Sequence, residues 1–324
     1  MLTRRGVLHA AGASGAAFVA MRMGAAIGAP STVKTAVNFD VPRGACDCHV
    51  HVFGDPKTFP FAPNRAYTPP EASVEDLRQL QAGLHFDRVV IVTPSVYGTD
   101  NSCTLDGIRQ LGARARGVAV IDKSTPAAAI DALAAAGFRG IRLNVETAGE
   151  TDPGAVKRRL DAVIEPLRGR NWHIQFNTRL PVIAALHDDL AALPYPVVFD
   201  HFGNAKAALG LSQPGFEAML DLVKSGRAYV KISGAYRTSD KTPDFPDSTP
   251  LAQALVAANP DRIVWGTNWP HPGRGVTPTA IAPPYPNDDG MLLNQLPKWV
   301  PDAAIRKKIL VDNPARLYGF ETAL

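Results

Sequence analysis

The sequence predicts a single (β/α)8 barrel, and three observations predict it. Eight short, near-continuous apolar runs rich in β-branched residues recur along the chain, the pattern of parallel strands covered on both faces. Helical stretches lie between most of them, which is βαβ repetition. The spacing, roughly 36 residues per unit, suits an eightfold barrel. The competing architecture, an open doubly wound sheet, would carry a Gly-rich phosphate fingerprint after its first strand, and none follows here.

Strands are expected at 45–53, 88–93, 117–122, 140–145, 172–177, 197–201, 229–233 and 262–268. Ser73, with Asp76 three residues on, reads as a capping box opening a helix. Residues 127–136 are Ala-rich and stop at Gly137, a C-terminal helix signal. Residues 154–168, 181–193, 215–225 and 249–258 also read as helical. Asp302 caps a helix running to about residue 309, and Pro314 permits a further short turn at 315–318. Pro- and Gly-rich stretches at 240–250 and 270–290 follow the last two strands, where loops shape a barrel mouth.

The first segment differs from the rest. Arg4-Arg5 precede a weakly apolar Ala/Gly-rich run to Met21, no acidic residue appears before Asp40, and Ala26-Ile27-Gly28 offers small residues for cleavage. Residues 1–35 therefore read as a Tat-type export signal and 36–324 as the barrel, giving a periplasmic mature protein. Arg22 interrupts the apolar run, and no later segment reaches the ~18–20 apolar residues of a spanning helix, so no membrane association is expected of the mature form.

Composition narrows the classes further. The 324 residues are 46% apolar and 20% charged, which excludes disordered, collagenous and coiled-coil chains. The net charge of +4 includes Arg4, Arg5 and Arg22, and without those three it is +1. No polybasic run occurs, so no nucleic-acid partner is expected. Cys46 and Cys48 share one strand face and are poorly placed to pair, and Cys103 is placed in a loop. The odd count gives no disulfide framework.

Active sites of such barrels lie at the C-terminal strand ends. The first strand ends in His49 and His51, which point the same way and could bind a metal or polarise a carbonyl. The fourth presents Arg142 and Asn144, and an arginine inside a barrel is expected to meet an anion. The fifth presents Gln175 and Asn177, neutral groups unsuited to a transition metal, above His173 on the stability side. His201 ends the sixth strand, with Asp200 expected to face the opposite way. Lys231 and Ser233 share a face of the seventh, and Arg237 follows it, within reach of an anionic ligand. Asn268 and His271 follow the eighth, between Trp265, Trp269 and Pro270. Ser95 and Tyr97, after the second strand, could bind hydroxyl or carboxylate oxygens.

These residues resemble the amidohydrolase superfamily. The strand-one His49/His51 pair, Asp200-His201 and Gly266-Thr267-Asn268-Trp269-Pro270-His271 carry the likeness. So do Thr93–Gly98, Lys231–Gly234 and the terminal Asn313–Phe320, and the resemblance spans roughly residues 43–320. More narrowly, it is similar to the lactone-processing branch of 2-pyrone-4,6-dicarboxylate lactonases and galactarolactone isomerases. Metal-dependent members have HxH on strand one, histidines on strands five and six, and an Asp on strand eight. This chain keeps His49, His51 and His201 but has Gln175 or Asn177, and Asn268, at the other two places.

The resemblance implies a lactone hydrolase with no required cofactor. Three histidines could still hold one divalent metal such as zinc, at His49, His51 and His201. The histidines and Arg142 would stabilise an oxyanion. An amide at Asn268 cannot take a proton from water, so His271 or a cluster histidine would serve as base. Alternatively a substrate hydroxyl attacks the lactone and the reaction is an isomerisation. The substrate is expected to be a small lactone or carboxylate held by Ser95, Tyr97, Arg142, Asn144, Gln175 and Arg237. Asn204 stands where the dicarboxylate lactonases have an arginine, which leaves sugar-acid lactones open. A metal-dependent amidase or decarboxylase, and a periplasmic solute-binding protein, are the remaining alternatives. Convergence of His49, His51 and His201 with Arg142 in one pocket would argue against the last.

Overall fold

In the computed structural model, which describes residues 33–321, the apolar runs form eight parallel strands. They are β1 (Cys46–Val50), β2 (Arg88–Val92), β3 (Ala115–Ala119), β4 (Phe138–Asn144), β5 (His173–Asn177), β6 (Val197–Phe199), β7 (Ala228–Ser233) and β8 (Ile263–Gly266). Each pairs with the next in sequence order. Just past the strand ends, Asn268 N–H donates to the His49 carbonyl at 2.9 Å and His51 N–H to the Trp269 carbonyl at 2.8 Å. These bonds join the last strand to the first, so the sheet closes and the doubly wound alternative fails.

Helices fill the crossovers: α1 (Val74–Leu84), α2 (Ser102–Leu111), α3 (Ala127–Ala135), α4 (Pro153–Leu167), α5 (Leu180–Ala185), α6 (His187–Ala192), α7 (Phe216–Lys224), α8 (Ala235–Thr238) and α9 (Thr249–Ala258). Beyond β8 come α10 (Asp289–Leu293), α11 (Leu296–Trp299), α12 (Ala303–Lys307) and α13 (Asn313–Tyr318). The capping box is formed: the Ser73 hydroxyl accepts the Asp76 N–H at 3.2 Å, and the Asp76 carboxylate accepts the Ser73 N–H at 2.8 Å.

Two layers of core hold the barrel. Outward-facing Val89, Ile91, Ile141, Ile174, Phe199 and Ile232 pack under buried helix residues such as Leu77, Ile108, Leu160 and Met219. Inside, Cys46, Cys48, Val90, Val92, Val118, Val198 and Val264 fill the lower barrel, and Tyr318 and Phe320 belong to the same cluster. The three cysteines are free and buried.

Several expectations need correcting. Cys103 lies in α2 and not in a loop. That helix was hard to read because Asn101 gives no side-chain cap and Gly107 interrupts the pattern. The glycine has a packing reason, since a Cβ there would stand 2.9 Å from Ile91 Cδ1. β3 begins and ends earlier than expected, because the chain leaves the sheet at Val120, whose N–H is taken by the Asn101 side chain at 2.9 Å. The helix expected at 181–193 is broken at Leu186 into α5 and α6. β6 stops at Phe199 because His201, Phe202, Gly203 and Asn204 all adopt positive φ.

Of the expected export signal, residues 1–32 lie outside the described residues. The Thr35 hydroxyl that follows donates to Asp288 at 2.6 Å. Among the described residues no helix is long and apolar enough to cross a membrane.

Candidate active site

The centre of the barrel's C-terminal half is a buried carboxylate, Asp200. Val198 faces inward, so Asp200, two residues on, does too. The strict alternation assumed through His201 fails because the strand has already ended. The left-handed backbone at His201 (φ 50°) returns its ring to the same side, where its centroid lies 4.7 Å from that of His49.

Four side chains surround Asp200. His49 Nδ1 lies 3.2 Å from Oδ1, and Arg142 Nε donates to Oδ2 at 3.0 Å. Gln175 Nε2 donates to Oδ2 at 3.1 Å, and Lys231 Nζ stands 3.6 Å from Oδ1. The Lys231 ammonium donates to Gln175 Oε1 at 2.7 Å and to the Cys48 carbonyl at 2.9 Å, and stands 3.3 Å from His49 Nδ1. All of these side chains are buried. Burial alone would raise the Asp200 carboxyl, but His49, Arg142 and Lys231 outweigh it and hold it well below the usual carboxylate range. Burial pushes Lys231 down to about 8, opposed by Asp200. Burial likewise pushes His49 down to about 3 and lowers His51 and His201 well below the usual imidazole range. Burial thus favours the neutral form of all three rings.

Above this cluster lies a cavity of about 370 Å³ at the strand ends. His51, Arg142, Asn144, Asn177, His201, Arg237 and Asn268 line it. His51 Nδ1 donates to the Val92 carbonyl at 2.7 Å, which leaves a lone pair on Nε2. His201 Nδ1 is 2.9 Å from the Ser233 hydroxyl. Asn144, Asn177 and Asn204 form a chain of amides along one wall, with links of 3.0 and 2.9 Å. Asn268 closes the other side in a left-handed conformation (φ 66°) and donates its Nδ2–H to Tyr236 Oη at 2.6 Å.

Not every expected residue reaches the cavity. Gln175 lies beneath it, with both ends of its amide held by Asp200 and Lys231. His49 lies beneath it as well, beside Asp200. Tyr97 is outside the lining, where its oxygen accepts the Gly54 N–H at 3.2 Å. Ser95 neighbours Tyr67, itself a lining residue. His271 is buried behind the wall, 3.2 Å from Tyr236 Oη and 2.9 Å from Asp289. His173 sits low in the barrel, edge-on to Tyr318. Asp200 was expected to face away from the site, and Lys206 and Tyr236 were not singled out from the sequence.

A family model for amidohydrolases matches residues 46–320, which takes in all eight strands and every group just described. The chain belongs to the amidohydrolase family. A 4-sulfomuconolactone hydrolase of Rhizobium radiobacter is 35% identical over 291 residues, covering 90% of this chain and 95% of that protein. A 2-pyrone-4,6-dicarboxylate hydrolase of Comamonas testosteroni is 35% identical over 290 residues, covering 86% and 92%. A D-galactarolactone isomerase of Agrobacterium fabrum is 34% identical over 292 residues, covering 88% and 94%.

Amidohydrolase barrels raise the question of a metal. Among the described residues, the donor atoms that approach one another within 4.8 Å belong to His49, Asp200 and His201. His49 and His201 of the expected set fall in this group together with Asp200; His51 lies outside it, its Nδ1 held by the Val92 carbonyl and its Nε2 left open. The cluster could hold one cation by distance. Two cations, Lys231 and Arg142, already stand against the single Asp200 carboxylate, however, so its negative charge is more than offset. A divalent ion there would sit beside an ammonium and a guanidinium.

Proposed function

We propose that this protein acts on an anionic lactone bound in the cavity at the C-terminal end of the barrel, opening the ring by hydrolysis without a required metal. The observation that carries the reading is the convergence of Arg142, His51, His201 and Asn268 on one cavity that also presents Lys206 and Arg237. Arg142 has a donor edge beyond its bond to Asp200, and His201 has its Nε2 beyond its bond to Ser233. Together they suit a lactone carbonyl oxygen that becomes an oxyanion. Arg237, whose buried Nε has no hydrogen-bond partner, suits a carboxylate or sulfonate on the substrate. The names of the relatives, all lactone hydrolases or a lactone isomerase, agree with this chemistry.

Metal independence is supported by the two cations already set against Asp200. Lys231 and Arg142 supply the positive charge that a bound ion would otherwise supply. A single barrel with one converged cavity also argues against a two-lobed solute-binding module.

Isomerisation is the second reading, favoured by one observation: Asn268, two residues past strand eight, is an amide that can orient a hydroxyl but not deprotonate water. The deciding experiment is a panel of anionic lactones incubated with the enzyme, with and without chelator, following both acid release and isomer formation. Turnover of none of them would overturn the reading. The N-terminal Arg4-Arg5 segment supports export to the periplasm, and sequencing the N-terminus of protein recovered from that compartment tests it.

A further inference from the structure

The strand-eight position carries no base, because Asn268 cannot take the nucleophile's proton. We propose that Tyr236, backed by the buried His271–Asp289 pair, carries that proton away. The inference rests on the lactone reading above.

The hydrogen bonds fix the direction of the chain. Asn268 Nδ2 can only donate, so Tyr236 Oη, 2.6 Å away, must accept from it. The phenol proton then points to another acceptor. His271 Nδ1 lies 3.2 Å from Oη, and its other nitrogen, Nε2, lies 2.9 Å from Asp289 Oδ1. A carboxylate at Nε2 fixes the proton there and leaves the lone pair on Nδ1 to receive the phenol O–H. The order is Asn268 to Tyr236 to His271 to Asp289, and it is consistent in one direction only.

Placement supports a role in the reaction. Tyr236 and Asn268 line the cavity, whereas His271 and Asp289 are buried behind it. The Tyr236 oxygen has two lone pairs, and Asn268 occupies one. The other is open to an O–H in the cavity. Asn268 and His271 both have positive φ, at 66° and 59°, and the Asn268 carbonyl accepts the His271 N–H at 2.9 Å. Two non-glycine residues in the left-handed region within one turn mark a backbone held for its side chains.

The step balances. The nucleophile's oxygen, from water or from a hydroxyl of the lactone, bonds to the carbonyl carbon. Its proton passes to Tyr236 Oη, and the Tyr236 proton passes to His271 Nδ1, giving an imidazolium against Asp289. When the ring C–O bond breaks, the protons return along the same path and the departing oxygen takes one. No charge rests on the phenol. Burial pushes the Tyr236 hydroxyl up from its ordinary value, which suits a conduit and not a phenolate.

The test uses the full chain and a lactone that the wild type turns over. Tyr236→Phe and His271→Gln should each lower kcat by on the order of 10²–10⁴ while KM changes by less than about threefold. The double variant should be no worse than the poorer single one, because both act in one step. Asn268→Asp placed in the His271→Gln background should restore kcat by at least about tenfold, since a carboxylate then stands at the nucleophile itself. A merely structural His271 would not be rescued in this way. Thermal melting separates misfolding from lost chemistry, and Tyr236→Phe, which keeps the ring, guards against a His271 variant that fails to fold. Retention of kcat within about threefold in either single variant, or no rescue by Asn268→Asp, would overturn the relay and point to His51 as the base. A wild type inert to every lactone would instead overturn the functional reading, and the relay with it.

Discussion

His49 Nδ1 stands 3.2 Å from Asp200 Oδ1, and both side chains are fully buried. On the other oxygen, Arg142 Nε donates at 3.0 Å. The carboxylate thus joins strands one, four and six, and with Lys231 it reaches the seventh. Removing its charge leaves an ammonium and a guanidinium buried without a counter-ion. Breaking such a pair costs about 3–5 kcal/mol. Asp200→Asn should therefore lower the urea midpoint by that equivalent and abolish most turnover. Adding Lys231→Met should recover part of the stability. A loss below about 1 kcal/mol in urea unfolding would show that Asp200 does not organise the cluster.

Arg237 tests the substrate's charge. Its guanidinium lines the cavity and its Nε is unpartnered. A hydrogen bond to a charged group contributes about 1.5–3 kcal/mol, roughly 10- to 150-fold. Arg237→Gln should raise KM for an anionic lactone by about that factor and leave kcat nearly unchanged, because the contact is the same in ground and transition states. An uncharged lactone should show little change. Equal effects on both substrates would remove the carboxylate clamp from the mechanism.

Chelation separates the cation chemistries. With Lys231 and Arg142 already against Asp200, prolonged dialysis with a strong chelator should leave the turnover rate within experimental error. Elemental analysis of the dialysed enzyme should show substoichiometric metal at full activity. Activity that falls with metal content, and returns when zinc is added back, would place an ion at His49, Asp200 and His201 instead.

The barrel was legible in the sequence because parallel strands buried on both sides must be near-continuously apolar, and eight such runs survive casual inspection. His49, His51 and Arg142 were legible for the same geometric reason: residues two apart in a strand share a face. That logic missed Asp200 because alternation was counted through His201, beyond the point where positive φ ends the strand. Counting from Val198 would have found it. Lys231 was placed on the correct face, but its partners Cys48 and Gln175 come from strands far apart in sequence. Asp289, the partner of His271, lies past a Pro- and Gly-rich stretch without periodicity, so nothing local announces their meeting.

Asn268 decides between two outcomes of one attack. As an amide donating to Tyr236, it leaves its own oxygen to orient an O–H in the cavity. Asn268→Asp would add a base beside the nucleophile. Hydrolysis should rise, and the ratio of acid to isomer should shift toward acid. The two products, followed together by NMR on one lactone, give that ratio directly. Hydrolysis that is unchanged or lower would mean that a missing carboxylate is not what limits water attack.

His173 gives a pH signature independent of catalysis. Its ring is buried low in the barrel against Tyr318, and a Cβ at Gly140 would stand about 2.4 Å from it. Burial pushes its titration down to about 3, with Lys231 adding to the effect. In the unfolded chain the imidazole titrates near 6.5. Between those values the unfolded state binds a proton that the folded state does not, so stability is full above about pH 6.5 and falls as the pH drops toward 3. Each such histidine contributes a slope of about 1.4 kcal/mol per pH unit through that window. His173→Gln loses packing and lowers stability at every pH, but it should flatten the slope between pH 6 and pH 4 by about that amount. Urea midpoints measured across the window for both proteins check it. Parallel curves would mean that the His173 ring takes up its proton within the folded barrel.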